Sequence, residues 1–248
     1  MLSNNIKFIA QDLIVEDKDL HPIPCKLNIP KWYKKLEHKI TNKTIKGCMP
    51  FLDTLTTGYI LKAPIDFYIK HNSINDGERK TNFESPANLI PNEYLETINI
   101  NFHNSQEIHP PQQLGNECPF NQKNKNLPFH KILNPWIIKT PPGYSCLFLP
   151  PMNNTDDRFS IIPGIVDTDT FDAEINFPII INGDKYPILE TTIERGTPYV
   201  QVIPFKRDSW KMKIERKSAH DQKKSRFIQN IHILNNYKNI WWNKKSWK

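Results

Sequence analysis

The residues best suited to chemistry are two carboxylates, Asp167 and Asp169, in the stretch IIPGIVDTDTFDAEINFPIII. They flank Thr168 at the end of an apolar run. In an extended chain both point to one face, because side chains alternate with period two. Such a pair can bind a divalent metal ion, orient a water as general base, or accept a sugar hydroxyl. The same spacing also suits a solvated acidic turn.

A second set lies upstream, where His103 and His109 stand near Glu107 and Gln113. Two histidines and a carboxylate suit non-haem iron or a similar metal, as in a cupin-like metalloenzyme, and Cys118 adds a soft ligand. Solvated loop histidines give the same pattern. The third set is C-terminal: Lys223, Lys224 and Arg226 precede Trp241, Trp242 and Trp247. Basic and aromatic residues so interleaved suit nucleic-acid phosphates and stacked bases or an interfacial helix on a membrane. A helix packed on the body or on a sister subunit uses the same residues. Walker loops, GxGxxG, GxSxG, HExxH and zinc-finger spacings are absent from the sequence.

The elements that must position these groups are short. The chain has 21 prolines against 8 glycines in 248 residues, which disfavours long helices and suits short strands joined by stiff loops. IKFIAQDLIV reads as a first strand, and IPKWYKKLEHKI as a short helix with Pro30 at its first turn, pinned by Trp32, Tyr33 and Leu36. GYILKAPIDFYI is strand-like with a break at Pro64. Asp76-Gly77 and Asn182-Gly183-Asp184 read as hairpin turns, ETININF as a strand, and residues 103 to 130 as a long ordered loop. TPPGYSCLFLPP, the aspartate stretch and PYVQVIPF complete the strands. From Ser218 the SAHD start and the spacing of Phe227, Ile231, Leu234, Tyr237 and Trp241 predict one long amphipathic helix.

Charge divides the chain. Residues 206 to 248 hold 13 Lys/Arg against 3 Asp/Glu, a net of +10, so the remaining 205 residues carry −3 of the overall +7. The expected organisation is a β-rich domain over residues 1 to 213 and a basic, Trp-rich tail over 214 to 248. Cys25, Cys48, Cys118 and Cys146 are widely spaced, with no CxxC pair. No signal-peptide core and no membrane-length apolar run occur, so the expected setting is a reducing cytoplasm with free thiols and no transmembrane segment.

GIVDTDTFDAEINF followed by ERGTPYVQVIPF resembles the third and fourth motifs of the trimeric dUTPase and dCTP deaminase superfamily. TPPGYSCLFLPP falls where the second motif's strand lies, and TTGYILKA resembles the first motif's turn and strand. The resemblance implies a distorted β-barrel of the β-clip type, or a related double-sheet domain, usually trimeric with sites between subunits. It implies Asp167 as the water-orienting aspartate, Gln201 near phosphate, and Thr170 and Phe171 at the motif's aromatic position. Ile60 replaces the first motif's aspartate, Pro151-Met152 stand where the family's Arg-Ser-Ser phosphate grip belongs, and no glycine-rich, arginine-bearing fifth motif closes the chain. The stretches IPKWYKK, CMPFLDTLTTGYIL, NPWIIKTPPGYSCLF, GIVDTD and GTPYVQVIPFKRDSWK are similar to uncharacterised proteins of marine tailed phages, which implies a phage-type origin and a host-cell cytoplasm. The functional expectation is a homo-oligomer that binds a nucleotide or small ligand near Asp167 and Asp169, with a divalent metal as candidate cofactor. The alternatives are a non-enzymatic assembly protein, whose tail meets a partner or nucleic acid, and the cupin-like enzyme.

Overall fold

Most of the strands are short, and the longest, Pro198–Lys206, itself holds two prolines. The computed structural model describes residues 5–39, 41–74, 79–84, 108–230 and 236–248. Fourteen strands lie among them. They are β1 Lys7–Ile9, β2 Ile23–Pro24, β3 Tyr59–Lys62, β4 Phe67–Asn72, β5 Lys80–Glu84, β6 Ile108–His109 and β7 Phe129–Ile132, then β8 Ile137–Lys139, β9 Tyr144–Leu149, β10 Phe159–Ile161, β11 Gly164–Val166, β12 Phe177–Ile181, β13 Ile188–Ile193 and β14 Pro198–Lys206. Pro64 lies between β3 and β4 and Pro163 between β10 and β11, whereas Pro178 and Pro204 sit inside β12 and β14.

The chain is mainly β. Its strands pair antiparallel in a five-stranded sheet, β11-β9-β14-β3-β2, and a four-stranded one, β10-β12-β7-β6, with β13-β4-β5 and β1-β8 beside them. Among the described residues no sheet closes into a barrel. One apolar cluster serves all four sheets: Leu61, Phe148, Val200 and Val202 meet Ile132, Phe177 and Ile179, together with Phe67, Ile69, Ile193 and Ile138. Gly58 marks the tightest approach. Its φ is +76°, and an added Cβ would stand 2.1 Å from the Val202 carbonyl oxygen, so only glycine fits.

Several local expectations change in the structure. The first strand stops at Ile9, and Asp12–Glu16 form a helix with Ile14 buried. Lys31–Lys35 form the short helix after Pro30, with Tyr33 buried and stacked on Phe51 while Trp32 stays exposed. A helix not anticipated spans Met49–Thr56. Asn182-Gly183-Asp184 is a turn but joins no hairpin: β12 pairs with β10 and β7, whereas β13 pairs with β4. The turn carries the chain from one sheet to another. Gly183 fits because a Cβ there would stand 2.7 Å from Lys125 Cγ and 3.0 Å from the Lys123 carbonyl. The turn expected at Asp76-Gly77, the strand ETININF and His103 lie outside the described residues; β4 and β5 pair antiparallel.

The tail is not one described helix. Ala219–Asn230 and Asn236–Ile240 are helical, Ser218 Oγ accepts from the Asp221 N–H, and residues 231–235 lie outside the described set. Phe227 is exposed. No helix among the described residues is long and apolar enough to cross a membrane. All four cysteines are unpaired, with Cys25 and Cys146 buried.

Candidate functional site

The Pro141-Pro142-Gly143 corner builds the first wall. Gly143 adopts φ +83°, the left-handed region that favours glycine, and its N–H donates to Asp169 Oδ2 at 2.8 Å. β9 then leaves the corner with Tyr144 and Ser145 on opposite faces. Ser145 Oγ donates to Asp167 Oδ1 at 2.6 Å. β11 delivers the aspartates by ending at Val166. Beyond it the Asp167 carbonyl accepts from the Thr170 N–H at 3.1 Å, the Phe171 N–H at 2.9 Å and Thr170 Oγ1 at 3.2 Å.

β14 supplies the group that joins the pair. Its next residue, Arg207, donates from its backbone to the Gly143 carbonyl at 2.8 Å. The guanidinium Nη1 reaches Asp169 Oδ1 at 2.8 Å, Ser145 Oγ at 3.0 Å and the Tyr144 carbonyl at 3.1 Å, while Nη2 takes Asp169 Oδ2. Asp167 Oδ1 stands 3.2 Å from Nη1. The two carboxylates therefore meet across one arginine. Thr168, between them, turns inward, where its hydroxyl lies 2.7 Å from Thr140 Oγ1 and donates to Cys146 Sγ at 3.4 Å.

The electrostatics follow from this clasp. The bidentate Arg207, helped by the Gly143 N–H, holds the Asp169 carboxyl down to about 2. Hydrogen bonding to Asp169 in turn raises Arg207. Burial pushes the Cys146 thiol up to about 11, so it is inert as a nucleophile. Asp169 is a poor proton acceptor at neutral pH, since a general base works best near the operating pH. Asp167 is the accessible member, with 62% of its side chain exposed.

Behind this clasp lies a cavity of about 640 Å³, lined by Tyr59, Thr140, Pro141, Tyr144, Pro204 and Trp247 among others. Thr140 is the hydroxyl bonded to Thr168, and Tyr144 precedes Ser145, so the acidic turn and the cavity share β9 and its corner. The tail forms the far wall. Trp242 Nε1 donates to Asp53 at 3.1 Å and Lys245 Nζ to the same carboxylate at 2.6 Å. Trp247 then sits edge-on to Tyr59, ring centres 6.0 Å apart, and Tyr59 OH donates to the Lys248 carbonyl at 3.1 Å.

The remaining candidates fall elsewhere. Gln201 pairs with Leu149, four positions along β14 from Phe205, whose partner is Ser145. It is buried, accepts from the Met152 N–H at 2.9 Å, and donates to the carbonyls of Thr57 and Thr54 at 2.8 and 3.1 Å. The cavity beside it holds about 20 Å³, room for roughly one water. Phe171 is exposed and its carbonyl accepts from Lys139 Nζ at 3.2 Å. His109 Nδ1 lies 2.7 Å from Gln113 Oε1 and its ring stacks on Phe129. Among the described residues no three His, Cys, Asp or Glu side chains come together to hold a metal ion.

Sequence reasoning counted Arg207 only as part of the basic tail. Its signal was its place, directly after a strand that pairs with the Pro-Pro-Gly strand. Tyr144 and Thr140 carried no chemical signal of their own, because the cavity exists only once β3, β9 and the tail converge. No family model, curated protein or solved structure matches this chain. The functional argument therefore rests on the geometry.

Proposed function

We propose that this protein is a binding module for a small planar molecule, with a pyrimidine nucleotide as the first chemistry to try, seated between Tyr59, Tyr144 and Trp247. The observation that carries the reading is the aromatic-walled cavity of about 640 Å³ beside the aspartate turn. Its volume falls in the range of small-molecule sites, roughly 300–1,000 Å³, and apolar walls with a few polar groups are their usual lining. Tyrosine and tryptophan faces stack on flat rings. Asp167, exposed at the neighbouring turn, is the group to receive a hydroxyl or ring N–H of the ligand. Asp169 and Arg207 hold the turn in place, and the Thr168–Thr140 contact passes that order to the cavity wall.

The β-clip reading of the fold belongs to this proposal. Its support is that the four stretches similar to the dUTPase motifs supply β3, β9, β11 and β14, all in one five-stranded sheet. The proposal is one of binding. It assigns no hydrolytic step, since Asp169 is engaged by Arg207 and Gly143 and, among the described residues, no arginine clamp for a triphosphate lines the cavity.

The test is a thermal-shift screen of deoxynucleosides and deoxynucleotides against the full chain and Tyr144→Ala. A ligand at a hundredfold excess over its dissociation constant stabilises the folded state by roughly 2.7 kcal/mol. The expected result is a shift for at least one pyrimidine compound that Tyr144→Ala abolishes. A flat screen, or a shift indifferent to Tyr144, removes the proposal.

A further inference from the structure

The charge of the β-rich body is unevenly spread. Residues 26–46 hold 7 lysines against one carboxylate, Glu37, a net of +6. Residues 1–205 carry −3 in all, so the rest of them carry −9.

The chain folds this basic stretch back on itself. After the helix Lys31–Lys35, the Lys39 and Asn42 backbones exchange hydrogen bonds at 3.0 and 3.2 Å. On the return, the Thr44 N–H donates to His38 Nδ1 at 2.9 Å, and Thr44 Oγ1 donates to the Glu37 carbonyl at 2.8 Å. Lys46 Nζ donates to the Lys34 carbonyl at 3.0 Å, and Tyr33 OH to the Lys46 carbonyl at 3.4 Å. A surface loop closed by its own groups in this way is a common carrier of function. The turns Cys25–Leu27 and Ile45–Gly47 both pack on the helix Met49–Thr56, so Lys26 and Lys46 flank one element.

Acid is plentiful elsewhere, yet it does not neutralise this loop. Glu37 pairs with Lys39 at 2.7 Å. Among the described residues Lys26, Lys31, Lys34, Lys35, Lys43 and Lys46 have no ion pair, and all but Lys46 are exposed. Asp53, on the neighbouring helix, is taken by Trp242 and Lys245. An aromatic ring stands among the free lysines. Trp32 is exposed and held edge-on to Tyr33 and Phe51, ring centres 5.6 and 6.0 Å apart, while Tyr33 and Phe51 stack on each other. Two rings therefore fix the indole before any ligand arrives.

Uncompensated lysines attract a polyanion, and an exposed, oriented indole stacks on an unpaired base. A duplex hides its base faces, so a single strand is the polyanion that uses both features. A membrane surface uses the charge alone. The helix Lys31–Lys35 buries its Tyr33 in the body, and exposed Leu27 and Ile45 sit singly on separate turns, so no apolar helix face is offered for insertion. We infer that the loop around Trp32 binds single-stranded nucleic acid, with its lysines on phosphates and Trp32 against a base. None of these residues lines the aromatic cavity, so the inference is independent of the ligand-binding reading.

The test is fluorescence anisotropy of labelled single-stranded oligoadenylates, deoxy and ribo, titrated with the full chain across a salt series. Adenylates carry no pyrimidine for the cavity. The loop variant is Lys31→Gln, Lys35→Gln, Lys43→Gln; the control, Lys211→Gln, Lys217→Gln, Lys223→Gln, removes the same charge from the tail. The wild type is expected to bind with an affinity that falls as salt rises. At about 0.7 per phosphate contact on single strands, the loop variant lowers the slope of log affinity against log salt by about 2. The tail control is expected to keep the wild-type slope. Trp32→Ala is expected to lose about 5- to 150-fold in affinity with the slope unchanged. Circular dichroism of the loop variant should match the wild type, because its three side chains are exposed. Failure of the wild type to bind either strand at low salt overturns the inference. So does a tail control that loses as much slope as the loop variant, or a duplex bound as tightly as the single strand. Attachment to phosphatidylserine vesicles in place of the oligonucleotides would assign the loop to a membrane and overturn it as well.

Discussion

Gln201→Leu separates two roles that the same residue could play. The resemblance to the dUTPase motifs puts Gln201 near a phosphate; the structure shows its amide spent on the protein's own backbone. It receives the Met152 N–H and donates to the carbonyls of Thr54 and Thr57, at the end of the helix Met49–Thr56. The last carbonyls of a helix have no partner inside it, so Gln201 satisfies groups that would otherwise be buried unpaired. Leucine keeps the volume and removes all three bonds. At about 1 kcal/mol net for each, the loss is about 3 kcal/mol. For a domain of this size that lowers the melting temperature by about 6–12 °C. Urea unfolding gives the free energy and calorimetry the temperature. Gln201→Glu serves as control: at neutral pH its second oxygen faces two carbonyls, so it should be at least as damaging, with partial recovery once acid protonates it. If Gln201→Leu unfolds within 0.5 kcal/mol of the wild type, the backbone-staple account is refuted.

Two predictions concern pH. Asp169 is held at about 2 against an ordinary 3.8, so the stability it contributes is present above the ordinary value and lost as pH falls through 2. Asp169→Asn should therefore unfold earlier than the wild type at pH 7, the two melting curves converging near pH 2; equal curves at pH 7 would dismiss the clasp. His71 is buried against Thr81, its Nδ1 2.8 Å from Thr81 Oγ1, and burial, with Lys125 nearby, lowers it from 6.5 to about 4. The unfolded chain then binds more protons between pH 6.5 and 4, so stability is full above 6.5 and falls with pH across that window. The shift corresponds to about 3 kcal/mol, and allowing for solvent screening to about 1–2 kcal/mol. His71→Gln should flatten this slope in urea titrations, and an unchanged slope would assign the effect to other groups.

The parts of the fold legible in the sequence are those written locally. GYSCLFL and PYVQVIPF became adjacent strands whose Cys146, Phe148, Val200 and Val202 face one core, and Pro64 falls at the break between β3 and β4. Partner choice is not local. Asn182-Gly183-Asp184 carries a hairpin signal, but β13 finds its partner in β4, far back in the chain. The helix Met49–Thr56 is short and rich in threonine, so its periodicity was too brief to read. The aspartate pair was visible from spacing alone. Its meaning was not, since Arg207 reaches it from another strand and Asp169 ends up spent inside a clasp. The cavity was invisible for the same reason: Tyr59, Tyr144 and Trp247 lie far apart in sequence and meet only in the folded chain.

The central claim is that the cavity, and not the clasp alone, holds a ligand. Titration calorimetry of the best thermal-shift compound, into the wild type and into Tyr144→Ala, tests it most directly. The account predicts one site per chain in the wild type and at least about a fivefold loss of affinity in the variant, as expected when an aromatic stacking partner worth about 1–3 kcal/mol is removed. Equal affinity in both proteins, with unchanged stoichiometry, would contradict it.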